Sequence, residues 1–389
     1  MCLNSIEPAG PSRRSVLVGA LGILGASTFA AGCAKAATVA APVPASLGVV
    51  GDIDRKRPHA ILLGAAGGPA WYANQNATGI STAIVVGDAV YVVDTGDRSP
   101  EQYFRANPTN EGPNQQFRTL RGLFVTHLHS DHTIDYFKLF NYGWWLGLQS
   151  TQRPVEVFGP GRRSTLTTPY PGSQPPPPAS PANPMPGIAD LTDSLFAGYA
   201  TDINDRVRDN QFTDLRSLIN VHDITIPGFD PTIETLEIMP AMAPFPIYED
   251  DRVRVTATLV NHFPVFPAFA YRFDTDDGSV VISGDTGIST NLAVMAAGTD
   301  LLLHEVIDSS YIDALYERNK NASLRHHLMT AHTPSTELGR FAEDLGARQL
   351  ALHHLVPAEP PVERWEAARA NYKGVFHVGA DLTAINLRH

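Results

Sequence analysis

The chain has 389 residues, is 43% hydrophobic and carries a formal net charge of −11. That length and apolar content exclude a disordered chain and allow one large domain or two modest ones. The acidity, with no Lys/Arg cluster beyond Arg13-Arg14 and Arg162-Arg163, weighs against a phosphate backbone as partner and predicts no nucleic-acid binding.

The first segment reads as a leader over 1–36. Ser12-Arg13-Arg14-Ser15-Val16-Leu17 resembles a twin-arginine export signal. The apolar stretch behind it, Val16 to Ala31, is too short and too rich in small residues for a stable membrane span. Ala34-Lys35-Ala36 looks like an A-x-A cleavage site. Ala30-Ala31-Gly32-Cys33 resembles a lipobox, with alanine where leucine is usual, so cleavage and a lipid anchor at Cys33 both stay open. The expectation is an exported bacterial protein, periplasmic or associated with the cell envelope. The two cysteines, Cys2 and Cys33, both fall in this leader. The remaining domain therefore has no disulfide and no thiolate metal ligand. Residues 37–55, rich in Ala, Pro and Val, read as a linker, and 56–389 as the folded domain.

Ile61-Leu62-Leu63 reads as a first strand, followed by the glycine-rich Gly64-Ala65-Ala66-Gly67-Gly68-Pro69. The loop lacks the Lys-Ser/Thr of a phosphate-binding P-loop. Ala83 to Val86 and Ala89 to Val93, split by Gly87-Asp88, predict a hairpin that ends at Asp94. Leu123-Phe124-Val125 is a further strand, and it delivers Thr126-His127-Leu128-His129-Ser130-Asp131-His132. Three imidazoles and a carboxylate in six residues at a strand end form a loop of metal ligands. His127 and His129, two apart, can serve one ion, and Asp131 with His132 a second. Nitrogen and oxygen donors without thiolate suit zinc best, with manganese or iron as alternatives.

The H-x-H-x-D-H pattern resembles the signature of the metallo-β-lactamase superfamily. The resemblance implies an α/β architecture: a four-layer αββα sandwich of two mixed sheets flanked by helices. It also gives the Gly64–Pro69 loop a role as a tight approach to the metal centre. Continuing along the chain, His132 to Trp145 predicts a helix that packs through Ile134, Phe137 and Leu139, and Val155 to Phe158 a strand. Residues 169–187, dense in proline, admit no regular element. The whole of about 160–245 reads as an insertion: a lid, a surface excursion, or an oligomer contact that would make a homodimer.

Strand rhythm returns at Arg252 to Val260. Phe269 to Phe273 and Ser279 to Ile282 flank the turn Asp276-Asp277-Gly278. Leu301-Leu302-Leu303 is a buried strand. Thr333-Pro334 opens a helix with proline at its first position, and Leu338, Phe341, Ala342 and Leu345 give it an apolar face. Leu350-Ala351-Leu352 leads into His353-His354, and a helix is expected from about Pro361 to Tyr372.

Two metals need more ligands than one loop offers. Val260-Asn261-His262, Ser283-Gly284-Asp285-Thr286-Gly287 and His353-His354-Leu355-Val356-Pro357 each end a predicted strand and look like the later superfamily motifs, in order. The resemblance assigns His262 to the first metal, Asp285 to a bridging position and His354 to the second, with His353 as the alternative. Asp94 is expected to orient a ligand or loop rather than bind metal. His332, in Ala331-His332-Thr333-Pro334-Ser335, and Glu305, in Leu303-His304-Glu305-Val306, resemble motifs of the branch holding ribonuclease Z and metal-dependent arylsulfatases. There the matching histidine is thought to protonate a leaving group, with Glu305 in support. His326 and His327 lack a motif and read as solvated loop residues.

These residues predict a dinuclear metal-dependent hydrolase in which a bridging hydroxide attacks and Asp131 orients or deprotonates the nucleophile. The expected substrate is a small-molecule ester, an aryl sulfate or phosphodiester, with Trp144, Trp145, Phe263 and Phe266 either walling an aromatic leaving group or filling the core. A lactonase or β-lactamase is the alternative, though β-lactamases generally lack a bridging Asp at the Asp285 position. A tRNA-processing nuclease is disfavoured by acidity, export and the missing basic arm. A non-catalytic metal-binding protein is disfavoured by the complete ligand set.

Overall fold

The structure is a computed structural model and describes residues 51–72, 77–167, 169–229, 239–359 and 361–388. The leader, its cleavage and lipidation sites and most of the linker lie outside the described residues. No described helix is long and apolar enough to cross a membrane.

Fourteen strands form among the described residues. The first six are β1 (His59–Gly64), β2 (Ser81–Val86), β3 (Ala89–Val93), β4 (Leu120–Phe124), β5 (Val155–Pro160) and β6 (Ile219–Ile224). The next four are β7 (Phe245–Glu249), β8 (Arg254–Leu259), β9 (Phe269–Thr275) and β10 (Gly278–Ile282). The last four are β11 (Leu301–Ile307), β12 (Gln349–Val356), β13 (Val375–Val378) and β14 (Ala384–Asn386). They make two seven-stranded sheets, ordered β14-β1-β2-β3-β4-β5-β6 and β13-β12-β11-β10-β9-β8-β7. In each sheet a run of four neighbours, β3 to β6 and β10 to β13, is parallel and the other pairs are antiparallel. Parallel neighbours need crossovers, and helices supply most of them. These are α1 (Ser99–Ala106), α2 (Ser130–Thr133), α3 (Tyr136–Gly143), α4 (Ile188–Gly198), α5 (Ala200–Arg208), α6 (Thr290–Ala296), α7 (Ser309–Asn319), α8 (Ala322–Thr330) and α9 (Ser335–Leu345).

The alternation along the strands sorts side chains into layers. Ala60, Leu62, Ile84, Tyr91 and Phe124 face Val255, Tyr271, Phe273, Val280 and Leu303 in the core between the sheets. The intervening Ile61, Ala83, Val92 and Leu123 meet Tyr103, Phe137, Phe140 and Ile188 of the helices outside the first sheet. Val281, Leu302 and Leu350 meet Leu292, Leu338 and Trp365 outside the second. Both sheets are thus covered on both faces, giving helix, sheet, sheet and helix in sequence.

Several expectations change in detail. The segment from His132 to Trp145 is two helices, α2 and α3, broken at Ile134 and Asp135, and Ile134 is 63% exposed instead of packed. The stretch 362–369 is a 3₁₀ helix, not an α-helix. Pro334 caps α9 and does not occupy its first turn. The 160–245 segment is not wholly an insertion, because β6 pairs with β5 and completes the first sheet.

Candidate metal centre

The parallel strands end on one rim, and the candidate residues sit there. β3 stops at Val93 and Asp94 follows in a left-handed conformation, φ 59°. Its carboxylate accepts the Thr126 backbone N–H and hydroxyl, each at 2.8 Å, and lies 2.8 Å from His132 Nδ1. Asp94 therefore fixes the entry to the ligand loop and the orientation of one imidazole. The loop is also tied to the second sheet. Tyr271 donates its hydroxyl to the Val125 carbonyl at 2.6 Å, and the Phe269 N–H donates to the Thr126 carbonyl at 3.0 Å.

His127, His129 and His262 bring one ring nitrogen each within 4.8 Å of one another. His262 Nε2 is 3.3 Å from His129 Nδ1, while His262 Nδ1–H donates to the Ala331 carbonyl at 3.0 Å. That bond leaves Nε2 as the lone-pair nitrogen. Asp131, His132, Asp285 and His354 form a second group within the same limit. His354 Nε2 is 3.2 Å from Asp285 Oδ2 and 3.3 Å from Asp131 Oδ2. His132 Nε2 is 3.3 Å from Asp285 Oδ1. Asp285 joins the groups, with Oδ2 at 3.9 Å from both His127 Nε2 and His262 Nε2.

His354, not its neighbour, turns toward the carboxylates. His353 is also buried, but neither of its ring nitrogens has a hydrogen-bond partner. Two glycines give the centre room. A Cβ on Gly67 would collide with the ring of His354. Gly284 sits at φ 58°, and a Cβ there would press on the Phe269 carbonyl and Thr126, so the turn that delivers Asp285 needs glycine.

Three of the imidazoles and both carboxylates are in the protonation state that accepts a cation, and His132 is the exception. Burial holds His127, His129 and His262 below the usual imidazole pKa, so each is neutral with a lone pair at pH 7. Burial opposes charge on Asp131 and Asp285 too, but the surrounding imidazoles outweigh it and hold both well below the ordinary carboxylate range. His132 is opposed by burial as well, yet Asp285, Asp94 and Asp131 raise its pKa well above 6.5. His127 Nε2, His132 Nε2 and Asp285 Oδ1 are buried with no hydrogen-bond partner. Orphaned donors and acceptors on one point are costly without an ion to satisfy them, so these residues fit divalent metal.

His332 lies beside the centre. Its Nδ1 is 3.2 Å from Glu305 Oε1 and 4.0 Å from Asp285 Oδ2. Glu305, fully buried, also accepts the Thr286 and Thr333 N–H groups at 3.1 and 3.0 Å. Burial works against a charge on His332, but Glu305 and Asp285 prevail and raise its pKa to about 9.

Of the two histidines without a motif, His327 meets the centre and His326 does not. His326 and His327 lie on α8, not in a loop. The His327 ring sits 5.4 Å from that of His262 and 5.8 Å from that of His332. His327 Nδ1–H donates to the Phe263 carbonyl at 2.9 Å. A helical residue 65 positions beyond His262 has no spacing signal to reveal it. The four aromatics separate. Trp144 and Phe266 are core, half-exposed Trp145 packs edge-to-face against Phe212, and Phe263 lines a cavity beside His129.

This layered architecture with its strand-end centre is the metallo-β-lactamase fold. The metallo-β-lactamase fold protein YhfI of Bacillus subtilis superposes with a TM-score of 0.53 at 16% identity, covering 84% of this chain and 99% of that one. Human tRNase Z, short form, does so with a TM-score of 0.52 at 17% identity, covering 85% and 100%. No family model matches the chain. In sequence, ribonuclease Z of Mycobacterium bovis (strain BCG / Pasteur 1173P2) is 26% identical over 312 residues, 79% of this chain and 92% of that protein. With this homology to ribonuclease Z, the chain is a metal-dependent hydrolase.

The same homology corrects two expectations. The relatives are named for RNA, which overturns both the small-molecule aryl sulfate or ester substrate and the exclusion of nucleic acid. The error has a physical source. Net charge averages the whole surface and omits bound cations, and divalent ions are the largest local charges in such a centre.

Proposed function

We propose that the protein is a metal-dependent phosphodiesterase that cleaves RNA. The observation that carries this reading is the convergence of His127, His129, Asp131, His132, His262, Asp285 and His354, with unsatisfied ligand atoms, in a chain homologous to ribonuclease Z over most of its length. Three neutral imidazoles would hold one ion, and Asp131, His132 and His354 a second, with Asp285 between them. All-nitrogen and oxygen donors make zinc the preferred metal. Such ions would lower the pKa of a bound water and polarise a phosphoryl oxygen.

The protein's own residues do the rest. Asp131 receives the Gly68 N–H at 3.0 Å, which steadies its carboxylate to orient the nucleophile and take its proton. Asp94 orients His132. His332, protonated at neutral pH, gives a proton to the leaving oxygen, and Glu305 holds its ring. The test is cleavage of a single-stranded oligoribonucleotide by protein loaded with zinc and by the same protein stripped with chelator. RNA cut only by the loaded form supports the reading. Turnover of aryl sulfate with no RNA cleavage would refute it.

We also propose that the Arg13-Arg14 leader directs export. The support is the sequence pattern alone. Replacing both arginines with lysine should trap a tagged chain in the cytoplasm, and unchanged delivery would reject the assignment.

A further inference from the structure

A cavity of about 620 Å³ opens between Thr167, Pro169, Tyr170 and Pro171 on one side and α8 on the other, with His129 in its wall. Its size falls in the range of small-ligand sites. Tyr170 and Phe263 contribute aromatic faces, each more than a third exposed, and Leu324 an aliphatic one. His326 sits beside Tyr170, ring centroids 5.7 Å apart. Among the described residues, no Lys, Arg, Asp or Glu lines it. A phosphate would find no cation there, whereas a flat, neutral heterocycle would find stacking faces and imidazole hydrogen-bonding groups. The wall is continuous with the metal centre, because His129 belongs to both and its ring lies 6.4 Å from that of His327. His327 in turn adjoins His332, so the cavity opens on the side of the proton donor.

We infer that this cavity is a nucleobase subsite for the nucleotide that carries the leaving oxygen, with Tyr170 as its stacking platform. The inference rests on the RNA-hydrolase reading above. It makes Tyr170 a specificity-determining residue and favours unpaired RNA, since a base inside a duplex cannot enter.

The test uses the zinc-loaded full chain and a single-stranded oligoribonucleotide whose cleavage position has been mapped. An abasic residue is placed on either side of the cut in turn, and each substrate is given to wild type, Tyr170→Ala and Tyr170→Phe. Base–aromatic stacking predicts a loss of about tenfold in kcat/KM, mainly through KM, for Tyr170→Ala and for the abasic residue on the leaving-oxygen side. The two losses should not multiply when combined, and Tyr170→Phe should keep wild-type rates. Tyr170→Ala cutting intact RNA at the wild-type rate overturns the subsite, as do losses that multiply or an abasic effect confined to the other side. In all three cases the RNA-hydrolase reading survives. No cleavage of any RNA by the metal-loaded protein overturns both.

Discussion

At the scale of single residues the centre is a set of lone pairs held in place by neighbours that do not bind metal. Asp131→Asn should keep the loop geometry, since the amide oxygen can still accept the Gly68 N–H. It loses the charge and the base. A fall in kcat of about 10²–10⁴-fold, the usual worth of a positioned acid or base, is the expected result. Undiminished turnover would remove Asp131 from the chemistry. Gly67→Ala tests support from the back. Its Cβ would push the His354 ring out of position, so metal affinity should drop by about 10–100-fold, as for other disturbed ligand supports, and a metal titration reads this directly. His332 carries the pH signature. Its pKa is raised to about 9, so the ring is protonated below that value and loses its proton above it. Turnover that depends on His332 as acid is therefore present at neutral pH and declines as pH rises through about 9. His332→Gln should be slower and lose this alkaline limb. A variant with the same limb would assign it to another group.

At the scale of elements, the two sheets are held in register by more than apolar packing. Asp250, just past β7, accepts Tyr91 and Tyr248 hydroxyls at 2.7 and 2.9 Å and pairs with Arg121 at 3.2 Å. Tyr91 and Arg121 come from the first sheet, Tyr248 from the second, so one carboxylate clasps both. Burial opposes its charge, but the Tyr91 and Tyr248 hydroxyls and the Arg252 and Val253 N–H groups prevail and lower its pKa. The contribution is thus present above the ordinary carboxylate pKa and lost as pH falls through the lowered folded value. Asp250→Asn should cost about 2 kcal/mol, the scale of hydrogen bonds to a charged group, with a visibly lower midpoint in urea and little change in metal content. An unshifted midpoint would show the clasp to be idle.

Elements also show what could be read in advance. The hairpin at Asp276-Asp277-Gly278 was legible because turn chemistry is local: β9 and β10 pair directly through it. The α2–α3 break was not, because it serves the ligand loop. Thr95 N–H reaches the His132 carbonyl at 2.7 Å and Asp135 N–H the Thr95 carbonyl at 3.1 Å, a tertiary constraint that no helical periodicity contains. β6 was hidden for another reason. It is an edge strand whose Asn220, His222 and Asp223 are exposed, and so resembles a polar excursion.

At the scale of the whole molecule, the grouping of the seven His and Asp residues was legible from motifs at or beside strand ends, although Asp131 and His132 fall in α2 and His354 inside β12. The homology to ribonuclease Z, which bears on the substrate, was not read as favoured. Acidity spread over the surface said nothing of a centre that divalent ions would make locally positive, and the His326–His327 pair lay on a helix without a motif. The α8 wall and Pro169, Tyr170 and Pro171 meet across a long sequence separation, so the cavity they form exists only in the fold. The most direct measurement combines metal content with RNA cleavage on one preparation. The zinc-loaded protein should hold divalent metal at the seven-residue centre and cut single-stranded RNA, and an Asp285→Ala variant should lose metal and cleavage together. A purified protein that retains its metal yet leaves RNA intact, or a metal-free protein that still cuts it, would contradict the account.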